Sequence, residues 1–241
     1  MRLDQYLVKL GHFQSRERAK EAILTAGIVV NGKIAKKASI DVSEVDKIMV
    51  EKPDFIYVSR GALKLKAALE KFKIEVAGKI CLDIGVATGG FTQVLLEAGA
   101  NKVYAVDIGE GQLADLLRRD SRVEFRNNTD ARYLKKTDFD FSLDLVVIDV
   151  SFISILALLP ALKEVVSKGE LVALIKPQFE YGKPHSGVIS DAKIIAEILA
   201  KVRAGFSDNG FEILGEIPSP IRGKEGNQEF LWRVVWKNKV Y

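Results

Sequence analysis

From about residue 59 onward, hydrophobic residues alternate between short continuous runs and stretches with helical spacing. Short apolar runs are typical of buried strands, whereas apolar residues recurring every three or four positions indicate amphipathic helices. The runs that predict strands are 80–84, 103–107, 123–125, 145–149, 171–177, 211–214 and 229–236. The stretches that predict helices are 61–72, 91–98, 111–118, one ending near 166, and 191–206. This alternation predicts an α/β fold, a Rossmann-like doubly wound parallel sheet that binds ligands at the carboxyl ends of its strands.

The first 52 residues carry a different pattern, in which two short helices precede a β-hairpin. Gly11 and Gly27 follow the two helical stretches, as glycine commonly does at a helix end. An apolar run then leads into Asn31-Gly32, which is a strong signal for a type I′ hairpin turn. Pro53 interrupts regular pairing soon afterwards. We therefore predict a small α/β domain at 1–52, a linker at 53–58 and a larger domain at 59–241.

A glycine-rich stretch joins the first long strand to the helix that follows it. Its spacing is D-x-G-x-x-x-G-G, which differs both from the dinucleotide fingerprint and from a phosphate-binding P-loop. Glycine lets a ligand approach the backbone, and the helix start offers free N–H groups. A turn without a ligand is the alternative, but a buried acid there needs a partner. The residues that would form the ligand site are Asp83, Gly85, Gly89, Gly90 and Phe91.

Further charged residues stand at the predicted ends of the neighbouring strands. Asp107 ends the second strand, 24 residues after Asp83, where a carboxylate can accept from both ribose hydroxyls. Asp130 follows the third strand and could accept from an adenine amino group, although a surface acid is an equally good interpretation. Asp149 and Lys176 end the next two strands and would form a charged pair beside the ligand. The sequence thus predicts a nucleoside site with acceptor chemistry next to it.

Composition and charge limit the classes of protein to which this chain could belong. The net charge is +4, and residues 1–52 contribute 10 basic against 7 acidic residues, which indicates a small domain that binds a polyanion. One cysteine and two histidines give no metal-ligand cluster, so we expect no metal. No apolar run is long enough to cross a membrane, and the N-terminus lacks a signal-peptide pattern. We therefore expect a cytoplasmic protein without a membrane partner.

The small domain resembles the ribosomal S-four RNA-binding domain, or alpha-L motif. The resemblance rests on Arg2-Leu3-Asp4, Ser15-Arg16, Gly27 and Val30-Asn31-Gly32-Lys33. In that family the second helix and the hairpin present basic groups to structured RNA, and phosphate contacts supply much of the affinity. A solvated basic face is the alternative. The residues expected to bind RNA are Arg2, Arg16, Arg18, Lys20, Lys33, Lys36, Lys37 and Arg60.

The large domain resembles the FtsJ-type ribose 2′-O-methyltransferases, whose glycine loop takes the D-x-G-x-x-x-G-G form. That family uses a Lys-Asp-Lys-Glu tetrad, which matches Lys64, Asp149, Lys176 and Glu229. The order of the two domains is that of the TlyA family, whose members also carry the name haemolysin. The resemblance implies S-adenosylmethionine as cofactor and cytidine 2′-O-methylation of ribosomal RNA, free or within ribosomal subunits. Its cofactor contacts would be Asp83, Gly85, Gly89, Gly90, Phe91, Asp107, Ile108, Asp130 and Asp149.

The mechanism implied is an in-line displacement in which the enzyme aligns a hydroxyl and helps it to lose a proton. Three other functions remain open: an RNA-binding protein with an inactive methyltransferase domain, a cytolysin, and a methyltransferase of small molecules. Because the chain starts directly at Arg2-Leu3-Asp4, we expect the shorter type of the family, which modifies the large subunit only.

Overall fold

The structure, a computed structural model, describes residues 1–13, 15–25, 28–35, 37–50, 57–110, 112–166, 169–182 and 187–237. The chain divides into two compact units, Met1–Arg60 and Gly61–Tyr241. Residues 53–56 of the predicted linker, and Lys36 of the predicted RNA-binding set, lie outside the described residues.

The N-terminal unit contains two helices and a three-stranded sheet. The helices are α1 (Leu3–Lys9) and α2 (Arg16–Thr25), and the strands are β1 (Val29–Val30), β2 (Lys33–Ile34) and β3 (Ile48–Met49). Strand β1 lies between β2 and β3 and is antiparallel to both. The turn between β1 and β2 places Asn31 and Gly32 at φ of 50° and 78°, as the predicted type I′ hairpin requires. The helices pack on the sheet through the buried side chains of Leu3, Leu7, Ala19, Ile23 and Ile28.

The C-terminal unit is a seven-stranded sheet in the order β6-β5-β4-β7-β8-β10-β9. Its strands are β4 (Ile80–Ile84), β5 (Lys102–Val106), β6 (Val123–Arg126), β7 (Leu145–Ile148), β8 (Glu170–Ile175), β9 (Phe211–Pro218) and β10 (Phe230–Trp236). Its helices are α3 (Gly61–Phe72), α4 (Gly90–Glu97), α5 (Asp115–Arg118), α6 (Leu159–Val165), α7 (Pro177–Glu180) and α8 (Ala192–Asp208). None of the helices in the described ranges is long and apolar enough to span a bilayer.

Two features of this unit differ from the sequence prediction. Strands β4 to β8 are parallel, but β10 is antiparallel to both β8 and β9, so the sheet is mixed. The segment between β9 and β10 contains no crossover helix, and an antiparallel pair needs none. Helix α5 has four residues instead of the eight predicted, because the backbone is still extended at Ala114, with ψ of 139°.

The order of the strands reverses between β4 and β7. Strand β5 pairs with one edge of β4 and β7 pairs with the other, both in parallel. A crevice opens outside the carboxyl ends of parallel strands at such a switch point, and ligands of doubly wound sheets bind there. Asp107, Asp149 and Lys176 follow β5, β7 and β8, so the fold collects these predicted residues at this edge, next to the glycine turn that follows β4.

Candidate active site

The glycine turn after β4 passes close to the end of β7. Gly85 has φ of 86°, and its N–H donates to the carbonyl of Val106 at 2.9 Å. A Cβ on Gly85 would overlap the carbonyl oxygen of Asp149. Gly89 is restricted mainly by its φ of 98°, and a Cβ there would also press on the end of the Leu117 side chain. Backbone conformation therefore favours glycine at both positions, and space requires it at Gly85.

Asp107 holds the glycine turn in place from the end of β5. Its Oδ2 accepts from the N–H of Ala87 and its Oδ1 from the N–H of Gly109, both at 2.7 Å. A carboxylate offers about four acceptor positions, so two remain for ligand hydroxyls. Ile108, which follows, is 67% exposed.

Asp83 lies inside β4, where it is fully buried, and not at the strand tip predicted for it. Its Oδ2 accepts from Thr92 Oγ1 at 2.6 Å, whereas its Oδ1 is buried and has no partner in the described part of the chain. Burial, assisted by the nearby charge of Asp149, raises the pKa of the Asp83 carboxyl to about 7. A buried acceptor without a partner is costly, and a cationic ligand that reached it would remove this cost.

Two lysine–carboxylate pairs lie at the same edge of the sheet. Lys176, directly after β8, places Nζ 2.6 Å from Asp149 Oδ1 in an ion pair. The same ammonium donates to Ser151 Oγ at 2.9 Å. Lys64, from α3, donates to Glu229 Oε2 at 2.6 Å. The ladder pairs Phe230 with Ile175, so Glu229 and Lys176 are the next residues along it.

The connection between β9 and β10 fixes the position of Glu229. Its carbonyl accepts from the N–H of Ser219 at 2.8 Å, which closes the connection at the strand ends. A Cβ on Gly223 would lie 2.5 Å from Glu229 Oε1, so the backbone approaches the carboxylate closely. Asn227 is buried and accepts from the N–H of Ile189 at 2.9 Å, which ties the connection to a second segment.

Three residues near the charged pairs were not predicted from the sequence. Phe152 is 86% exposed and has φ of 67°, and its ring lies 5.2 Å from that of Phe179. Ser151 is the hydroxyl partner of Lys176. Glu180 is buried and accepts from Ser154 Oγ and from the N–H of Ile155. Burial raises the pKa of the Glu180 carboxyl. The sequence did carry a signal for Ser151 and Phe152, since a serine and an aromatic residue follow shortly after Asp149 at the end of a strand.

Two further residues predicted to bind the cofactor, Asp130 and Phe91, have side chains that are already engaged or enclosed. Asp130 accepts from Arg132 Nε at 3.0 Å and Nη2 at 2.6 Å, and these bonds lower the pKa of its carboxyl. Its two oxygens are therefore already engaged locally. The Phe91 ring is buried in the core, 4% exposed, and Gly90 begins α4 beside it. Only the backbone of Gly90 and Phe91 is left to face a ligand.

The basic residues predicted to bind RNA are variously engaged. Arg18 Nη1 donates to the carbonyl of Val58 at 3.1 Å, within the same unit. Arg60 is half-buried, and Arg2 and Arg16 both contact Asp4. The predicted lysines in the described ranges are all exposed: Lys20, Lys33 and Lys37. Within the described residues, no group of three or more His, Cys, Asp or Glu side chains is arranged to hold a metal ion.

Comparison with known proteins gives matches along the whole chain. The profile of FtsJ-like methyltransferases matches residues 57–235, and that of the S4 domain matches residues 1–48. The 16S/23S rRNA (cytidine-2′-O)-methyltransferase TlyA of Mycobacterium tuberculosis is 43% identical over 237 residues, covering 96% of this chain and 88% of that protein. Hemolysin A of Brachyspira hyodysenteriae is 41% identical over 237 residues, covering 96% and 98%. These matches confirm the resemblance inferred from the sequence.

A solved structure gives the same result for the fold. A protein from Streptococcus thermophilus superimposes with a TM-score of 0.76 at 38% identity, covering 99% of this chain and 89% of that one. The predicted combination of a Rossmann-like sheet with a small N-terminal domain is therefore confirmed.

Proposed function

We propose, from the premise that this chain belongs to the TlyA family of FtsJ-like methyltransferases, that it is an S-adenosylmethionine-dependent rRNA (cytidine-2′-O)-methyltransferase. The observation that carries the proposal is the pair of lysine–carboxylate contacts beside the glycine turn, Lys64–Glu229 and Lys176–Asp149. In chain order, Lys64, Asp149, Lys176 and Glu229 match the Lys-Asp-Lys-Glu tetrad of the family. The site would serve ribosomal RNA, so a cytoplasmic location is part of the proposal.

The residues around the switch point fit the cofactor. The glycine turn leaves room for a ligand against the backbone, and Asp107 keeps two acceptor positions for ribose hydroxyls. The Oδ1 of Asp83, which has no hydrogen-bond partner in the described part of the chain, would accept from an α-ammonium group. When bound, S-adenosylmethionine would supply a methyl group already activated by its sulfonium. The protein then has to place the acceptor in line and manage one proton.

Lys176 is the residue that would meet the acceptor hydroxyl. Its ammonium is fixed by Asp149 on one side and Ser151 on the other, so its direction is set before substrate arrives. An ammonium held there can orient the 2′-hydroxyl by hydrogen bonding, and the same nitrogen, once it has released a proton to solvent, can receive the proton of the hydroxyl. Lys64 and Glu229 lie deeper and would support this end of the site.

An exposed aromatic surface next to Lys176 supports a nucleotide acceptor. Phe152 projects into solvent from a backbone conformation that few non-glycine residues adopt, and Phe179 supports its ring. Strained conformations of this kind concentrate at functional sites. Single-stranded bases stack on such rings, each worth about 1–3 kcal/mol.

The experiment that tests the proposal is methylation of purified ribosomal subunits with tritiated S-adenosylmethionine, followed by mapping of the label. We expect label at the 2′-oxygen of cytidine, and the fraction that carries it identifies the subunit. Calorimetry that detects no binding of S-adenosylmethionine would favour the inactive, RNA-binding alternative. Lysis of red cells by nanomolar protein, with no label in the RNA, would favour the cytolysin.

A further inference from the structure

The segment that follows β7, residues 150–155, carries two exposed residues beside Lys176. Ser151 accepts from the Lys176 ammonium at 2.9 Å, and Phe152 is 86% exposed. Phe152 has φ of 67°, a left-handed conformation that is unfavourable for a bulky side chain. Such a conformation persists only where the surrounding structure holds it in place. The segment therefore needs an anchor on each side of Phe152.

The two ends of the segment are anchored in different ways. At its start, the N–H of Asp149 donates to the last carbonyl of β4 at 2.9 Å, which extends the sheet. At its end, the N–H of Ile155 donates to Glu180 Oε1 at 2.7 Å, and the hydroxyl of Ser154 donates to the second oxygen of the same carboxylate. Between these points, no main-chain hydrogen bond within the described ranges involves residues 150–153. The anchor at the far end is therefore a side chain and not a strand.

Glu180 is a costly choice if its task is only to fill the core. The carboxylate is 4% exposed, and burial raises its pKa more than its two hydrogen bonds and the charge of Lys201 lower it. Glutamine has the same shape and could accept from the N–H of Ile155 without a buried charge. The charge instead adds strength, because hydrogen bonds to an ionised acceptor are roughly twice as strong as neutral ones. Stability is thus exchanged for a firmer hold on the segment.

The short helix that carries Glu180 also contacts the rest of the segment. Helix α7 follows Lys176 directly, and the ring of Phe179 within it lies 5.2 Å from the ring of Phe152. Lys176, Phe179 and Glu180 therefore contact the segment near its start, its middle and its end. A movement of the far end would be passed on to Phe152 and to the hydroxyl of Ser151.

We propose that Glu180 is a positioning residue for methyl transfer, which holds Ser151 and Phe152 beside Lys176 so that the acceptor nucleotide meets a fixed surface. The inference rests on the proposed function, because an RNA nucleotide is the acceptor. Glu180 itself contacts neither the acceptor nor the cofactor and acts only through the segment. Its replacement should therefore slow methyl transfer without weakening cofactor binding.

The first test compares stability with activity in two matched variants. Glu180→Gln removes the buried charge and keeps an acceptor for Ile155, so the unfolding midpoint should stay the same or rise. Methylation of ribosomal subunits should nevertheless fall by roughly 10- to 100-fold, because the acceptor is misplaced. Glu170→Gln is the control, since Glu170 begins β8 at the opposite edge of the sheet and pairs with Lys79 and Arg233. It should lower the unfolding midpoint and leave the rate per folded molecule unchanged.

The contrary outcomes of this test are distinct. Glu180→Gln protein that methylates at the wild-type rate would overturn the inference. So would a variant that melts early and loses cofactor affinity in calorimetry together with activity, because Glu180 would then be structural. If the wild type does not methylate ribosomal subunits, the proposed function fails and the inference falls with it.

A second test follows the segment directly and does not depend on methylation. Fluorophenylalanine in place of Phe152 allows the ring to be followed by fluorine NMR in the full chain. We expect one narrow resonance, and a broadened or shifted one when Glu180→Gln or Ser154→Ala is added, because each weakens the anchor. The same label in place of Phe141, which is 56% exposed before the start of β7, should not respond. Spectra of the label at Phe152 that are identical with and without these changes would contradict the role of Glu180.

Discussion

The pair formed by Lys64 and Glu229 joins the first helix of the large unit to its last strand. The two atoms lie 2.6 Å apart, and the side chains are only 8% and 3% exposed. Lys64→Met removes the ammonium and keeps an unbranched chain of similar length, so the main effect is to leave Glu229 buried without its partner. Lys66→Met is the matched control, since Lys66 is exposed on the same helix.

The size of the effect follows from the burial of both partners. Removing one member of a buried pair costs about 3–5 kcal/mol, because the remaining charge stays desolvated. For a domain of this size that corresponds to a fall in Tm of roughly 6–20 °C. Replacing both partners with apolar residues is often neutral, so Lys64→Met combined with Glu229→Met should recover most of the stability. Lys66→Met should stay within about 0.5 kcal/mol of wild type.

The assay combines denaturant unfolding, calorimetry with S-adenosylmethionine and methylation of ribosomal subunits. The double variant should unfold near the wild-type midpoint, bind the cofactor and fail to methylate, because it lacks half of the proposed tetrad. If Lys64→Met costs less than about 1 kcal/mol, the reasoning from burial is refuted. If the double variant methylates at the wild-type rate, the pair is structural and takes no part in the chemistry.

Four other outcomes are expected. Lys176→Ala should abolish methylation and leave cofactor affinity nearly unchanged by calorimetry; equal loss of both would mean that the lysine is structural. Because the pKa of Asp83 is about 7 in the folded protein and ordinary when unfolded, its contribution to stability is present below about pH 4 and is lost as pH rises to 7. Asp83→Asn should therefore flatten the unfolding free energy over this range by up to about 4 kcal/mol, and identical pH profiles would contradict the shift. Gly85→Ala should cost at least about 1–2 kcal/mol through its left-handed backbone, and should impair methylation by displacing Asp149; wild-type activity would contradict the close contact. Removal of residues 1–52 should weaken binding of rRNA, and its salt dependence, far more than binding of cofactor, whereas equal losses would place the RNA contacts in the large unit.

The parts of the site that the sequence could predict are those whose signals are local. Gly85 and Gly89 follow an apolar run within a few residues, and Asp107 ends the next run, so spacing alone placed them at strand ends. The shortness of α5 and the antiparallel direction of β10 were not predicted, because neither leaves a local signal. The contact between Lys64 and Glu229 spans 165 residues of sequence, and only the family resemblance suggested it. Phe152 was missed because its exposure depends on a backbone conformation that its side chain does not favour.

The two ion pairs of the site differ in how far their side chains are exposed, and we expect them to have different roles. In the Lys64–Glu229 pair both side chains are almost completely enclosed. In the Lys176–Asp149 pair the carboxylate side chain is 21% exposed, and the lysine also contacts Ser151, which lies at the surface. The Lys176 side chain itself is 9% exposed, so solvent reaches this pair through Asp149 and Ser151. Within the proposed tetrad we therefore expect the enclosed pair to hold the start of β10 against α3 in support of the site, and the more open pair to contact the acceptor.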